Sequence, residues 1–154
     1  LDWPGAIRAA AAPVKLEGIV IDDSEAKHVG EWAHSTAVAH KVGVGYVHDN
    51  NPHKGEMKVL FEPNVPAAGK YELILIGSPH ANRASRVPVA VQIPSGNGSN
   101  APATTTLFVN QKTNALISLG SYQLPAGKGT TVTISNSSAD GYVAVDGLQI
   151  LSLR

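Results

Sequence analysis

The sequence contains no cysteine, and this absence excludes several kinds of site at once. Disulfide frameworks, thiolate nucleophiles, zinc–thiolate centres and iron–sulfur clusters all need cysteine side chains. The sequence also lacks a run of about 20 apolar residues, the length that a membrane-spanning helix needs. Twelve basic residues balance twelve acidic ones, so no net positive charge is present to hold nucleic acid or an anionic membrane surface. We therefore expect neither nucleic-acid binding nor membrane insertion.

Charged residues are scarce, whereas turn-forming residues are abundant. Only 16% of the 154 residues are Asp, Glu, Lys or Arg, against about a quarter in an average domain, and the chain has 15 glycines and 10 prolines. The length suits one domain with its own hydrophobic core. Because the chain begins with Leu1, we expect a processed protein or a domain of a longer one, with residues 1–16 as an N-terminal arm or linker and residues 17–154 as the domain.

Hydrophobic residues beyond Val14 recur with a period of two rather than 3.6, which is typical of strands. The predicted strands cover residues 18–22, 57–61, 71–76, 87–93, 105–109, 117–124, 130–135 and 142–151. Pro88 places the start of its strand at a sheet edge or a bulge, since proline has no N–H to donate. Phrases rich in glycine and proline separate the segments. The pattern predicts an all-β fold, a jelly-roll (galactose-binding-like) β-sandwich.

Several phrases, taken in order, resemble the golvesin/xanthan-lyase carbohydrate-binding-like domain. They include GIVIDDSEA, GEWAHST, GYVHDNN, VLFEPNVPAAGKYEL, ANRASRVPV, LGSYQLPAGKGTTVTISN and DGYVAVDGLQIL, and they extend over about residues 17–151. The resemblance implies a non-catalytic sandwich at the C-terminus of a larger secreted bacterial enzyme, such as a polysaccharide lyase or a protein described as an FAD-dependent oxidoreductase. The sequence has no dinucleotide-binding fingerprint, so any oxidoreductase chemistry would belong to another domain.

The densest polar cluster is YVHDNNPHKGE, residues 46–56. Tyr46 offers an aromatic face, and His48, Asp49 and Asn50 offer hydrogen-bonding groups. Sugars are bound by this combination of a flat apolar surface and convergent polar groups. We expect the cluster to lie on a loop after a strand and to bind carbohydrate. The alternative is a hydrophilic turn whose Asp and Asn side chains cap their own backbone.

Trp32 and His34 flank this cluster in the family pattern, and we include both in the predicted ligand-binding site. The Trp32 ring would stack on a sugar. A tryptophan in a chain with 5% aromatic residues also serves well as a filler of the hydrophobic core, so both roles remain open.

Asn82 and Arg83 interrupt the apolar pattern between two predicted strands. Arginine presents a planar fork of donors that suits the carboxylate of an acidic sugar, and asparagine can pair with the same groups. We therefore add both to the predicted ligand-binding site. The alternative is a structural Arg83 paired with Asp49 or Glu56.

Acidic residues close to the first and last predicted strands suggest a metal site. In a jelly roll these two strands commonly lie side by side, which would bring Asp146 close to Asp22 or Asp23. Hard oxygen ligands of this kind suit a structural Ca²⁺, although the spacing is not that of an EF-hand. A transition metal on His48 and His53, which share a predicted loop with Asp49, is an alternative interpretation.

Catalytic motifs are absent: the sequence contains neither HExxH nor GxSxG, and its acids mostly follow strands into turns. We predict a non-catalytic carbohydrate-binding-like module that targets a secreted or surface protein to a polysaccharide, neutral or acidic, with no cofactor other than the calcium. The alternative is a structural sandwich that docks on a parent domain or self-associates without binding sugar.

Overall fold

The computed structural model describes residues 18–30, 32–35, 46–48, 57–77, 79–94, 103–137 and 140–153. The regular structure in these ranges is almost entirely β. The twelve strands are β1 (Ile19–Asp22), β2 (Lys27–Val29), β3 (Ala33–Ser35), β4 (Tyr46–His48), β5 (Lys58–Phe61), β6 (Gly69–Ile76), β7 (Val87–Ile93), β8 (Ala103–Val109), β9 (Leu116–Leu124), β10 (Thr131–Ser135), β11 (Ala144–Val145) and β12 (Gly147–Leu153). A 3₁₀ turn over Asp23–Glu25 follows β1. Within the described ranges, no helical segment has the length and hydrophobicity to cross a membrane.

The strands form two antiparallel main sheets and one small one. One main sheet has the order β1-β12-β6-β9, and the other has the order β2-β5-β10-β7-β8. The small sheet has the order β11-β4-β3. Strands distant in sequence are neighbours in each main sheet, since β1 pairs with β12 and β5 with β10. This arrangement agrees with the predicted sandwich.

The hydrophobic core is built by alternation along the strands of both main sheets. In β7, Val87, Val89 and Val91 are fully buried, and Ile134 of β10 and Leu73 of β6 belong to the same core cluster. Each large apolar side chain removed from water stabilises the fold by about 1.5–3 kcal/mol before the entropy cost. The core therefore fixes which face of each strand is left for solvent and for ligands.

Every predicted strand has a counterpart in the structure, whereas β2 and β3 were not predicted. Two further details differ from the prediction. Residues 142–151 hold two strands, β11 and β12, and Tyr46–His48 form β4 instead of a loop because they pair with β3 and β11. β7 lies between β10 and β8, so it is not an edge strand, but at Pro88 only the ladder to β8 is present because the ladder to β10 begins at Val89. The predicted arm, residues 1–16, lies outside the described residues.

Candidate functional site

Three carboxylates meet where the first strand lies beside the last one. We call Asp22, Asp23 and Asp146 the carboxylate cluster. β1 and β12 are antiparallel, with Asp22 opposite Gly147, and the backbone N–H of Asp23 donates to the carbonyl of Asp146 at 3.0 Å. One ligand atom from each of the three residues lies within 4.8 Å of the others. The strand adjacency expected from the sequence thus brings the predicted acids together.

The carboxylate cluster is largely shielded from water, which makes its negative charge costly. Asp146 is 0% exposed and Asp23 is 3% exposed. Burial, followed by the negative charges of Asp22 and Asp146, raises the pKa of Asp23 to about 7. A proton or a cation would relieve this repulsion.

The two carboxylate oxygens of Asp22 have different surroundings. Oδ2 caps the 3₁₀ turn by accepting from the backbone N–H of Ser24 at 3.3 Å and from the Ser24 hydroxyl, while Glu25 accepts from the Asp22 N–H at 3.0 Å. Oδ1 is buried and accepts no hydrogen bond. A buried carboxylate oxygen of this kind, beside two further carboxylates, offers hard ligands of the type that Ca²⁺ prefers, so these residues fit that ion.

A second group of polar residues lies at one end of the sandwich, where the loop before β7 meets the segment before β11. The loop over 79–86 and the segment 140–143 are joined by backbone hydrogen bonds, from Ala84 N–H to the Tyr142 carbonyl at 2.7 Å and from Tyr142 N–H to the Asn82 carbonyl at 3.0 Å. The Ser85 N–H donates to Asp140 at 2.7 Å, and hydrogen bonds from Ser85 lower the pKa of Asp140. The loops are therefore held together by main-chain hydrogen bonds and by the Asp140 side chain.

Aromatic and hydrogen-bonding side chains come together at this end. We call His48, His80, Asn82 and Tyr142 the sandwich-end surface. The rings of His48 and Tyr142 are tilted by 60° with centroids 6.2 Å apart, and both residues are half-buried. His80 and Asn82 are exposed, and the Asn82 N–H donates to His80 Nδ1 at 3.1 Å. Predicted residues from two distant parts of the sequence thus lie around one tyrosine.

Arg83 lies largely inside the protein rather than on its surface. It is 4% exposed, and its Nη1 donates to Asn82 Oδ1 at 2.8 Å. The backbone N–H of Arg83 donates to the His80 carbonyl at 3.1 Å. This burial and this hydrogen bond place Arg83 so that it orients the exposed Asn82 side chain, and a direct contact of Arg83 with a sugar stays a prediction.

Trp32 lies against the hydrophobic core and its polar atom is already used. The indole Nε1–H donates to the carbonyls of Val29 and Lys58, both at 3.0 Å, and the half-buried ring packs against the core cluster. Of the two roles considered for Trp32, this arrangement favours filling the core over stacking on a sugar.

The remaining predicted ligand residues are described by backbone alone or not at all. His34 of β3 is paired with Val47, and Tyr46 of β4 with Ser35. Asp49 and Asn50 lie outside the described residues, as does His53 of the alternative metal site.

Tyr142 was not among the residues that the sequence singled out. It belongs to the phrase DGYVAVDG, in which a turn precedes the last strands. An aromatic residue directly after a glycine turn could have drawn attention to it, but its contact with His48 depends on the pairing of β11 with β4.

Comparison with known proteins agrees with this architecture. Residues 19–152 match the sequence model of the Golvesin C-terminal domain. A xanthan lyase from Bacillus sp. (strain GL1) is 34% identical in an alignment 147 residues long, which covers 90% of this chain and 15% of that protein. The chain therefore spans about a seventh of that relative.

Solved structures give the same result for the fold. A Paenibacillus xanthan lyase superposes with a TM-score of 0.79 at 32% identity, covering 88% of this chain and 13% of that one. A family 35 carbohydrate-binding module from Clostridium thermocellum superposes with a TM-score of 0.58 at 17% identity, covering 90% of this chain and 100% of that one. At that identity the second likeness concerns the fold alone.

Proposed function

The chain belongs to the Golvesin C-terminal domain family, and we propose that it is a non-catalytic module that holds a larger secreted enzyme close to a polysaccharide. Its fold is that of carbohydrate-binding modules, and it matches a small part of a far longer xanthan lyase. A module of this kind needs no strong individual contact. Tethering to the parent enzyme raises the local concentration of the sugar chain and turns weak contacts into useful retention.

The observation that carries the proposal is the contact between His48 and Tyr142 beside the exposed Asn82. Aromatic faces pack against the C–H faces of sugar rings, while amide and imidazole groups exchange hydrogen bonds with hydroxyls. The loops beneath are held by main-chain hydrogen bonds, so little ordering entropy is lost when a ligand binds. Arg83 acts here as a positioning residue for Asn82.

We further propose that the carboxylate cluster holds a structural Ca²⁺. The buried Asp22 Oδ1, together with Asp23 and Asp146, would supply part of the six to eight oxygen ligands that this ion takes. When bound, the ion would neutralise the buried charge and tie the first strand to the last one.

Affinity gel electrophoresis of the isolated chain in gels containing xanthan, a β-mannan or a xylan tests the sugar-binding proposal. We expect at least one polysaccharide to retard the protein, and Tyr142→Ala to weaken that retardation about tenfold if ring contacts contribute on the order of 1.4 kcal/mol. Tyr142→Phe keeps the ring and should bind nearly as well as the wild type.

Asn82→Ala should also weaken binding, whereas Asn114→Ala, at another exposed asparagine, is the matched control and should not. Circular dichroism verifies that each variant is folded. If no polysaccharide retards the wild type, the proposal is wrong, and the structural alternative, docking on a parent domain or self-association, replaces it.

A further inference from the structure

A shallow groove crosses the outward face of the five-stranded sheet, on the side opposite the hydrophobic core. We call it the outer groove and define it by Lys58, Pro88, Ala90, Thr106, Thr133 and Ser135. It arises from strand alternation. Because Val89 and Ile134 point into the core, their neighbours Ala90 and Thr133 lie on the other face.

The register places the lining residues side by side across four strands. Ala90 of β7 lies opposite Thr133 of β10 and opposite Thr106 of β8, and Ser135 of β10 lies opposite Lys58 of β5. These four strands are separated by three strand spacings, so the lining residues extend over about 14 Å across the sheet. This distance matches the length of a short oligosaccharide rather than that of a single small molecule.

Two apolar side chains of β7 belong to the lining. We call Ala90 and Pro88 the floor of the groove, which is open to solvent and has a volume of about 290 Å³. This volume is close to the lower end of the range for small-molecule sites, roughly 300–1,000 Å³. A sugar ring could lie along the floor with its hydroxyls towards the borders.

The chemistry of the lining is that of hydroxyl groups and one cation. Thr106, Thr133 and Ser135 each carry a hydroxyl, which both donates and accepts hydrogen bonds. Ser135 Oγ accepts from the Ser137 N–H at 2.9 Å, and its own O–H can still donate. Lys58 is exposed and adds a positive charge, and no carboxylate is among the residues that line the groove.

A second cation lies at the β8 side of this face. The Arg86 guanidinium lies 3.7 Å from the ring centroid of Phe108, a residue that is 48% exposed and is paired with Pro88 of the groove floor. Lys58 on β5 and Arg86 beside β8 thus bracket the groove with positive charge. On the same face Glu62 is four residues from Lys58, about 13 Å along the chain.

We infer that the outer groove is a second carbohydrate site, which binds a segment of an acidic polysaccharide with Lys58 facing a sugar carboxylate. The inference rests on the proposed function in that both require a polysaccharide ligand, but it concerns a different face. Two sites on one module let a long chain be held at two points, which slows its release.

The experiment compares one acidic polysaccharide, xanthan, with the same polymer after chemical reduction of its carboxyl groups, in affinity gels at low and high salt. We expect the wild type to be retarded more strongly by the acidic form, and this difference to shrink as salt screens the charges. Lys58→Gln should weaken retardation by the acidic form on the order of 3- to 5-fold, as for an exposed ion pair. It should leave retardation by the reduced form unchanged.

Controls separate this site from a general effect of charge and from the sandwich-end surface. Lys70→Gln removes an equal charge from an exposed lysine of the other main sheet and should have no effect. Ala90→Leu fills the groove on an outward face and should weaken binding of both polymer forms. Tyr142→Ala should leave the dependence on Lys58 in place.

If Lys58→Gln and Ala90→Leu bind like the wild type, or if Lys70→Gln weakens binding as much as Lys58→Gln, the outer groove is not a site. In that case a loss of binding in Tyr142→Ala would still support the proposed function. If neither polymer nor any other polysaccharide retards the wild type, both proposals are wrong.

Discussion

At the scale of single residues, Gly141 shows how closely the two loops of the sandwich-end surface approach each other. A Cβ atom at this position would lie 2.8 Å from the Asn82 carbonyl oxygen, 2.9 Å from that of Arg83 and 3.0 Å from the Ala84 nitrogen. All three atoms belong to the backbone and cannot rotate away. The close approach, rather than a special backbone conformation, is what requires glycine here.

Gly141→Ala should therefore lower the free energy of unfolding by about 1–3 kcal/mol, because the loops must move apart. Since the displacement moves Asn82 relative to Tyr142, polysaccharide binding should weaken as well. Urea unfolding followed by circular dichroism measures the first effect. Gly69→Ala, whose Cβ would meet no atom closer than 3.9 Å, is the control and should stay within about 1 kcal/mol of the wild type. Equal stability of the two variants would contradict the proposed role of the close approach.

At the scale of elements, the two-residue strand β11 depends on a side chain for part of its hydrogen bonding. The Gln111 side chain, 1% exposed, donates from Nε2 to the Ala144 carbonyl at 2.6 Å and accepts at Oε1 from the Ala144 N–H at 2.9 Å. The Gln111 side chain thus makes two hydrogen bonds to the Ala144 backbone of the kind that a neighbouring strand would make. Because β11 also pairs with β4 at His48, this contact supports the sandwich-end surface.

Gln111→Ala should reduce the free energy of unfolding by about 2–4 kcal/mol, since it leaves both backbone groups of Ala144 without these bonds and opens a cavity. Thermal unfolding by calorimetry measures the loss. Gln123→Ala, at an exposed glutamine of β9, should change stability by less than about 0.5 kcal/mol. A loss as small in Gln111→Ala as in this control would show that β11 does not need the contact.

At the scale of the whole molecule, the carboxylate cluster links stability to pH and to calcium. The pKa of Asp23 is about 7 in the folded protein, above the value of about 3.9 for an unfolded chain. The folded state thus keeps this proton to a higher pH than the unfolded state. The stabilisation that the Asp23 proton gives to the folded state is complete below about pH 4 and is lost as the pH rises towards 7. Calcium competes with that proton, so its stabilising effect should grow over the same pH range.

Without calcium, the contribution of Asp23 to stability should decrease between about pH 4 and 7, and this decrease should lower the melting temperature. At pH 8, Ca²⁺ at 100 times its Kd should add about 2.7 kcal/mol, or roughly 5–10 °C, and far less at pH 5. Scanning calorimetry with EDTA or with Ca²⁺ measures both effects. Asp23→Asn should remove the calcium effect, while Glu62→Gln, at an exposed carboxylate, should keep it. Identical melting temperatures with and without Ca²⁺ at pH 8 would exclude the calcium site.

Local pattern was enough to identify most strands and the fold class. Alternating apolar residues such as Val87, Val89 and Val91 predict a strand with one buried face, and turn residues limit it, because both are properties of a few consecutive residues. The carboxylate cluster was predictable for a related reason. Neighbouring first and last strands are a general feature of the fold, so Asp146 could be placed near Asp22 before any contact was known.

Other features depend on contacts between distant parts of the chain, and these needed the tertiary structure. The burial of Arg83, the hydrogen bond from the Trp32 indole to the Lys58 carbonyl and the approach of Tyr142 to His48 all depend on contacts between segments far apart in sequence. The outer groove likewise requires four strands to present their residues side by side. Composition and periodicity determine which residues avoid water, whereas long-range pairing decides which of the remaining residues meet.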